Sequence, residues 1–356
     1  FSVNGLPWES SMSYRMSAHF ADAPVRVFDN VDSYRAWRQT ILRTHASVGF
    51  VPTMGALHEG HLRLVDRSLC DNDYTIVSIF VNPAQFAPHE DLSVYPRTTR
   101  SDIEQLGIRE GALQKHGRLM VLLPQVQDMY PNGITQNVDD QIGAFIEVKG
   151  LSHQMEGSTR PTFFRGVATV VTKLFNVVMP DRAYFGQKDI QQAIVIRRLV
   201  DDLLFMFPHG SRNVHVLPTV RDPQDQLALS SRNKYLDAQG RHVAPVLYAA
   251  LKKGQGVWDD LATKNVAPAD RLSLTLEAVQ THLSAHAKLA DGDHEARAEL
   301  DYVALNHPST LDPLTPANAS AEGAILSGAI YVYNRATDPS PAARLIDNVL
   351  LGFTLN

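Results

Sequence analysis

Up to about residue 220, continuous apolar runs alternate with segments in which apolar residues recur at helical spacing. Runs of roughly four to eight residues, rich in Val and Ile and bounded by turn residues, are typical of strands buried on both faces. The predicted strands are residues 46–53, 74–82, 118–124, 182–186 and 213–220. The predicted helices between them are residues 58–72, 164–180 and 188–203.

Strands that alternate with helices favour a parallel sheet covered by helices on both faces. In such sheets, ligands bind beyond the carboxyl ends of the strands, where the following loops converge. Polar loops follow four of the predicted strands and contain His58, Asn82, Gly186 and Thr219. The sequence therefore predicts an α/β domain with a binding site along one edge of its sheet.

The pattern changes after the polar segment 221–226. Amphipathic helices are predicted at 241–254 and 271–283, and strands at 300–307 and 323–336, with long polar connections that contain Ala and Pro. This mixture predicts a second, smaller α+β domain that is joined to the first through a polar hinge.

These patterns divide the chain into three predicted regions. Residues 1–24 lack the apolar core of a secretory signal and are predicted to be a poorly ordered N-terminal extension. Residues 25–220 form the predicted sheet domain, and residues 221–356 form the predicted smaller domain.

Composition and charge narrow the classes of partner. The chain of 356 residues carries a net charge of −5 and has a pI near 6.3, which argues against a nucleic-acid-binding surface. No run approaches the roughly 18 consecutive apolar residues of a membrane span. Cys70 is the single cysteine, which excludes an intramolecular disulfide and a cysteine-based zinc site. Its amphipathic surroundings predict a buried, unreactive thiol.

The segment VPTMGALHEGHLRLV (51–65) places two histidines and two glycines where a predicted strand passes into a predicted helix. His58 and His61 are three residues apart, so both can face one ligand. The unpaired N–H groups at a helix N-terminus suit phosphate, and Gly55 and Gly60 let the backbone approach closely. The motif predicts a phosphate site. Taken alone, it fits two solvent-facing caps equally well, and a histidine-ligated zinc site less well.

Other loops add groups suited to a nucleotide and an organic acid. Lys188 stands at a predicted helix start and could contact phosphate as a point charge, and the SSR run at 230–232 could close on a triphosphate. Asn82 and Gln85 are neutral amides suited to a hydroxylated acid. Asp102 could hold Mg²⁺ beside the phosphates. Each of these groups is also common on protein surfaces, so only their combination indicates a nucleotide site.

Six segments resemble, in family order, those of the pantothenate synthetase (pantoate–β-alanine ligase) family. They are PTMGALHEGH, VNPAQF, YPRT, FFRGVATVVTKLFNVVMPDRAYFGQKDIQQ, VLPTVRD and LALSSRNKYL, and they run across about residues 52–236. Such a series is far more specific than a single His-x-Gly-His motif. The C-terminal segments LDYVALNHPSTLDPL and GAIYVYNRATDPSPAARLIDN fit the family more loosely.

The resemblance implies a Rossmann-like domain of the nucleotidyltransferase superfamily, a C-terminal lid domain, a homodimer and a cytoplasmic location. It leaves open whether residues 1–24 direct the chain to an organelle. It also implies two reaction steps that use ATP, pantoate and β-alanine. The pantoate carboxylate first attacks the α-phosphate of ATP, and the amine of β-alanine then attacks the acyl carbon of the pantoyl adenylate.

The resemblance assigns roles to individual positions. The implied ATP-binding residues are Met54, Gly55, Ala56, Leu57, His58, Glu59, Gly60, His61, Gly186, Gln187, Lys188, Asp189, Val220, Leu229, Ser230, Ser231 and Arg232. The implied catalytic residues are His58, His61, Lys188, Ser230, Ser231 and Arg232. His61 is the family's proton donor, and we expect it to act by hydrogen bonding to the phosphates.

The remaining assignments concern the acid and the metal. Gln85 and Gln192, together with Asn82, are the implied pantoate and β-alanine contacts, and Asp102 is the implied Mg²⁺ ligand. Since the substrates bring the attacking carboxylate and amine, the enzyme needs no nucleophile of its own.

Some positions depart from the family pattern. Gln187 stands where the family usually has Glu, and Ser101 precedes Asp102 where an acidic pair is common. Surface insertions are expected near residues 107–117, 204–212 and 283–297.

Three other functions remain to be separated from the ligase. One is a histidine-ligated metal hydrolase, which a metal assay on the purified protein would exclude. Another His-x-Gly-His nucleotidyltransferase would share the ATP residues but lack the paired amides Gln85 and Gln192. A non-catalytic binding protein would have lost His61, Lys188 or the SSR run, and all of them are present.

Overall fold

The computed structural model describes residues 20–355 except for 89, 91, 116, 290–295 and 320–322. Most of the predicted N-terminal extension, residues 1–19, lies outside the described residues, and so does part of the predicted insertion at 283–297. The described residues form two sheets with helices packed against them.

The first sheet has six parallel strands in the order β1-β4-β3-β2-β5-β6. They are β1 (Arg26–Phe28), β2 (Val48–Thr53), β3 (Tyr74–Ile79), β4 (Leu119–Leu122), β5 (Arg182–Gly186) and β6 (Val214–Leu217). The five predicted strands are confirmed, most of them with shorter ends. Strand β1 was not predicted, because a strand of three residues is too short to show a recognisable pattern of apolar and polar positions.

Seven helices of the described chain connect and cover this sheet. They are α1 (Val31–Leu42), α2 (Glu59–Asp71), α3 (Thr99–Ala112), α4 (Val126–Met129), α5 (Glu156–Thr159), α6 (Phe163–Val178) and α7 (Ile190–Asp202). Successive strand residues point to opposite faces. Phe50 and Ile76 therefore join a core with α1, α6 and α7, while Val51 and Val77 join a second core with α2 and α3. The Rossmann-like α/β prediction is confirmed.

The second sheet lies entirely within the C-terminal part of the chain and is antiparallel, in the order β10-β9-β8-β7. Its elements are α8 (Ala238–Val243), α9 (Val246–Thr263), α10 (Pro268–His286), β7 (Lys288–Leu289), β8 (Ala296–Asn306), β9 (Ala324–Tyr333) and β10 (Ala343–Leu351). Helices α9 and α10 contribute Trp258 and Val279 to a separate core with this sheet. No helix among the described residues is long and apolar enough to cross a membrane.

Polar contacts join the two sheets. Arg221 follows β6 and donates to both carboxylate oxygens of Asp347 on β10, at 2.6 and 2.8 Å. The Asn348 side-chain amide donates to the backbone carbonyls of Gln187 and Lys188, at 2.9 and 3.1 Å. Strand β10 therefore contacts the segment that follows β5. The division at residue 221 stays a prediction, which the separate C-terminal core supports.

One side chain differs from its prediction. Cys70 is exposed, although its segment is amphipathic. The buried face of α2 carries Leu64, Val65 and Leu69. Because successive helix residues are rotated by about 100°, Cys70 turns away from the face that Leu69 occupies.

Candidate active site

The carboxyl ends of β2, β3, β5 and β6 surround a cavity of about 580 Å³. Parallel strands carry their following loops to the same edge, which is why residues distant in sequence meet there. The predicted site residues that line this cavity are Met54, His58, Gly60, His61, Asn82, Gln85, Gly186, Lys188, Asp189, Gln192, Val220, Leu229, Ser230, Ser231 and Arg232. The four predicted polar loops therefore meet at one place.

The two histidines cap the N-terminus of α2 reciprocally. His58 is the N-cap residue, and its Nδ1 accepts a hydrogen bond from the Gly60 backbone N–H at 3.1 Å. The Nδ1 of His61 accepts from the His58 backbone N–H at 3.4 Å. The ring centroids are 4.1 Å apart. A Cβ on Gly60 would lie 2.8 Å from the His58 ring, so the pair requires glycine at this position.

These bonds determine the protonation pattern of the pair. A backbone N–H can only donate, so Nδ1 of each ring must be unprotonated. The proton of each neutral imidazole is then on Nε2, the nitrogen that makes no contact with the capped backbone. Since both rings line the cavity, each can offer one neutral N–H donor to a ligand there.

The surroundings keep both imidazoles neutral. Burial, followed by the positive charge of Lys188, lowers the pKa of His58 to about 4. Burial, followed by the neighbouring His58 and Lys188, lowers the pKa of His61 to about 3. Near neutral pH the cavity thus combines two uncharged donors with the Lys188 ammonium, which lies 3.3 Å from the Asp189 carboxylate.

The loop before His58 is held from behind by Asp102. Gly55 and Ala56 adopt left-handed backbone conformations, with φ of 84° and 50°. The Asp102 carboxylate accepts hydrogen bonds from the Ala56 and Leu57 backbone N–H groups, at 3.0 and 2.9 Å. The Thr98 hydroxyl contacts both of its oxygens. This buried carboxylate is therefore bonded to the loop that carries the histidines.

These contacts do not fit the metal role predicted for Asp102. Both of its oxygens already accept bonds, and the side chain is buried. Within the described part of the chain, no group of three or more His, Cys, Asp or Glu side chains is placed to hold a metal ion. Asp102 therefore holds the loop, and a direct bond from it to Mg²⁺ would compete with these hydrogen bonds.

Some predicted ATP-binding positions do not line the cavity with the others. They are Gly55, Ala56, Leu57, Glu59 and Gln187. The first three shape the loop in front of His58, and Glu59 accepts a 2.6 Å bond from Arg109. Gln187 donates to the Asn348 side-chain oxygen at 3.1 Å. A Glu at position 187 could not donate this bond, so the departure from the family pattern serves the contact between the two sheets.

The SSR run reaches the cavity because the chain turns back on itself after β6. Arg221 and Ala228 form an antiparallel bridge, and the Leu229 N–H donates to the Val220 carbonyl at 3.0 Å. Ser230 then caps a short 3₁₀ turn, Ser231–Tyr235, by accepting from the Arg232 N–H. The segment that follows β6 and contains Val220 and the segment at 229–232 are thereby held side by side, and both resemble ATP-binding motifs of the family.

Arg160 is a cavity residue to which the sequence reasoning assigned no role. It donates to both carboxylate oxygens of Glu90, at 2.5 and 2.9 Å, and to the Gln85 backbone carbonyl at 3.2 Å. Its guanidinium lies 3.9 Å from the centroid of the Phe163 ring. Its hydrogen-bond partners Glu90 and Gln85 are 70 and 75 positions away, and no local pattern marks Arg160.

Comparisons with known proteins agree on one family. The family described as Pantoate-beta-alanine ligase matches residues 26–350. A pantoate–β-alanine ligase of Saccharomyces cerevisiae is 42% identical over 332 residues, which cover 92% of this chain and 100% of the relative. A pantothenate synthetase of Herpetosiphon aurantiacus is 41% identical and has the same coverage.

Solved structures give the same result. The pantothenate synthetase of Thermus thermophilus matches with a TM-score of 0.68 and 38% identity, covering 91% of this chain and 99% of that one. The pantoate–β-alanine ligase of Francisella tularensis, complexed with β-γ ATP and β-alanine, matches with a TM-score of 0.62 and 28% identity. That match covers 92% of this chain and 97% of the Francisella chain.

Proposed function

This chain belongs to the pantoate–β-alanine ligase family, and we propose that it joins pantoate to β-alanine while converting ATP to AMP and pyrophosphate. The observation that carries this proposal is the composition of the 580 Å³ cavity. Phosphate donors and the paired amides Gln85 and Gln192 line one space, as a reaction between a nucleotide and a hydroxy acid requires. The Francisella relative, which binds β-γ ATP and β-alanine, supports this assignment over a nucleotidyltransferase with another acceptor.

In the first step, a carboxylate oxygen of pantoate attacks the α-phosphorus of ATP. The bond from that phosphorus to the bridging oxygen breaks, and pyrophosphate leaves with the electron pair. Negative charge therefore grows on the phosphate oxygens. Preorganised donors and cations stabilise such charge most effectively in a site that excludes water. We assign this role to Lys188, Arg232 and the histidine pair, with Ser230 and Ser231 as neutral donors.

The histidines act in this scheme as hydrogen-bond donors and not as acids. An imidazole with a pKa of about 3 or 4 carries no dissociable extra proton near neutral pH. Its Nε2–H can still donate a hydrogen bond to a phosphate oxygen. The proton-donor role that the family resemblance implies for His61 is thus better described as donation of a hydrogen bond, which agrees with the expectation from the sequence.

In the second step, the amine of β-alanine attacks the acyl carbon of the pantoyl adenylate. The bond from that carbon to the phosphate oxygen breaks, AMP leaves, and the amine loses its protons as the amide forms. Because both nucleophiles are substrates, positioning is the main task left to the protein. A second cavity of about 600 Å³ shares Lys188, Gln192 and Arg232 with the first and extends toward β10, which offers room for the second substrate.

Other features of the assignment are proposals that rest on the family resemblance. Mg²⁺ would enter with ATP, held by the phosphates and by water, as is usual for this ion. The homodimer, the cytoplasmic location and the lid role of residues 221–356 belong to the same group of proposals. The bonds from the Asn348 side chain to the Gln187 and Lys188 carbonyls cross the boundary of such a lid.

The test is a measurement of pyrophosphate release from MgATP in the presence of pantoate, with and without β-alanine. We expect a single-turnover burst with pantoate alone, and continuous release with AMP formation after β-alanine is added. The control is a carboxylate without hydroxyl groups, which should give no burst. If pyrophosphate release does not depend on pantoate, the proposed function is wrong.

A further inference from the structure

A buried hydrogen-bond chain leads from Tyr130 to the cavity. The Tyr130 hydroxyl donates to Oδ1 of Asn82 at 2.6 Å, and Nδ2 of Asn82 donates to Oε1 of Gln85 at 3.1 Å. All three side chains are buried, and Tyr130 is absent from the residues that line the cavity. Tyr130, which lies outside the cavity, is thus connected through Asn82 alone to Gln85, an implied pantoate-binding residue.

The direction of this chain is determined by backbone groups. Nδ2 of Asn82 also donates to the Gly166 carbonyl at 3.2 Å, and Oδ1 of Asn82 accepts from the Ala84 N–H at 3.4 Å. A carbonyl can only accept and an N–H can only donate, so the Asn82 amide has one possible orientation. A Cβ on Gly166 would lie 2.3 Å from the Ala84 carbonyl oxygen, so glycine is required for α6 to approach this closely.

The orientation of Asn82 sets that of Gln85. Because Asn82 presents N–H to Gln85, Oε1 must be the atom that faces Asn82. The Gln85 amide nitrogen is then turned the other way, where its present partner is the Met54 sulfur at 3.2 Å. A thioether is a weak acceptor, so an oxygen of a ligand can replace it.

This orientation matters because of the charge of pantoate. Its carboxylate and hydroxyl oxygens are acceptors, and an amide N–H group attracts them. The opposite orientation would present the Gln85 carbonyl oxygen to a carboxylate, which is repulsive. The chain therefore selects the orientation of Gln85 that suits an oxygen-rich anion.

The phenol of Tyr130 is held as a donor by its own surroundings. Burial raises the pKa of Tyr130 well above its ordinary value, so the hydroxyl keeps its proton. The Lys173 ammonium lies 4.0 Å from the centroid of the ring and donates to the Met129 carbonyl at 2.5 Å. These contacts leave the hydroxyl directed at Asn82.

We propose that Tyr130 is a positioning residue for pantoate: backbone groups decide which way the Asn82 amide points, and the short Tyr130 bond holds that side chain in place against Gln85. The proposal rests on the function proposed above, because it concerns one substrate of that reaction. It predicts an effect on pantoate that is separate from any effect on ATP.

The experiment compares Tyr130→Phe with Tyr34→Phe. Tyr34 is a matched control, since it lies in the same core and its buried hydroxyl donates to the Val178 carbonyl at 3.1 Å. We expect Tyr130→Phe to raise the KM for pantoate by about tenfold and to change the KM for ATP by less than twofold. Tyr34→Phe should change neither constant, although it also removes a buried hydrogen bond.

A double-mutant cycle with Gln85→Ala tests the route of the effect. If Tyr130 acts through Gln85, adding Tyr130→Phe to Gln85→Ala changes the pantoate KM by less than twofold. A full tenfold effect in that background, or equal effects on the KM of ATP and pantoate, would overturn the proposal.

A second variant and a measurement on the unmodified enzyme separate failure of this proposal from misfolding and from failure of the proposed function. If Tyr130→Phe does not fold, Asn82→Asp is measured alone and in the Gln85→Ala background, because a carboxylate cannot donate to Gln85. An effect on the pantoate KM that disappears with Gln85 supports the chain, whereas no effect, or an equal effect in both backgrounds, contradicts the proposal. The proposed function is judged on the unmodified enzyme, which must release pyrophosphate only with pantoate. Failure there is distinct from failure of the Tyr130 variants.

Discussion

Two pairs of neighbouring histidine rings among the described residues have similar ring separations but very different surroundings. His58 and His61 lie at the N-terminus of α2, with ring centroids 4.1 Å apart. His282 and His286 lie near the C-terminus of α10, with centroids 4.3 Å apart. The first pair lines the cavity and caps a helix. In the second pair, Nδ1–H of His286 donates to the His282 carbonyl within the same helix, and the contact is exposed.

The comparison shows that helical spacing alone does not make a histidine pair functional. The pair on α2 has two supports that the other lacks, a positive helix end and the Asp102 carboxylate behind the loop, and it is more deeply buried. A helix C-terminus presents carbonyl groups, which repel phosphate.

The largest effect is expected from removing one histidine of each pair. His61→Ala should lower the rate of pyrophosphate release with pantoate by about 10²–10³-fold, because it removes a preorganised donor to the developing phosphate charge. His286→Ala is the matched control and should stay within twofold of the unmodified enzyme. Single-turnover kinetics measure both. A near-normal rate for His61→Ala would make the two pairs equivalent.

A smaller effect is expected from weakening the support of the first pair. Asp102→Asn leaves one amide oxygen for two backbone N–H groups and places an NH₂ group against a donor. Hydrogen bonds to charged groups contribute about 1.5–3 kcal/mol, so the KM for ATP should rise by roughly 10- to 100-fold. The Mg²⁺ concentration for half-maximal rate, measured at saturating ATP, should not change.

Asp73→Asn is the control for Asp102→Asn. Asp73 also accepts a bond from a backbone N–H, that of Ser47 at 2.9 Å, but at the amino end of the strands. It should leave the KM for ATP within twofold. A raised Mg²⁺ requirement with an unchanged ATP KM in Asp102→Asn would instead restore the role of Asp102 as a metal ligand.

The smallest perturbation is a pH titration of the unmodified enzyme without ligands. NMR of the imidazole nitrogens should show His58 and His61 titrating near pH 4 and pH 3, far below the ordinary value of about 6.5. Signals are assigned with His58→Gln and His61→Gln. Burial also lowers the pKa of His282, the member of the other pair with the less exposed ring. Titration of His58 or His61 near pH 6.5 would contradict the neutral-donor role.

The same shifts imply a dependence of stability on pH. As the pH falls below about 6.5, the unfolded chain binds protons at both positions, whereas the folded chain does not do so until about pH 4. Stability therefore decreases as pH falls through this window, by the linkage between proton binding and folding. Above pH 6.5 both states are neutral at these positions, and the contribution is constant.

Much of the fold and of the site could be predicted from local patterns. Continuous apolar runs indicated five of the six parallel strands, since strands buried on both faces have no polar alternation. The run from Met54 to His61 marked a strand-to-helix junction, and the direction of parallel strands brought it together with Lys188 and the SSR run. Long motifs in order indicated the family, because each combines backbone and chemical requirements within a few residues.

Contacts between residues far apart in sequence could be decided only by the tertiary structure. Asp102 lies 46 positions from Ala56, and Tyr130 lies 48 positions from Asn82. The local surroundings of Asp102 and Tyr130 do not indicate whether a carboxylate binds metal or backbone amides, or which acceptor a phenol contacts. Those choices depend on which donors are buried together, and burial is a property of packing. Residue identity supplied the chemical groups at the sheet edge, while packing determined how its loops and amides are oriented.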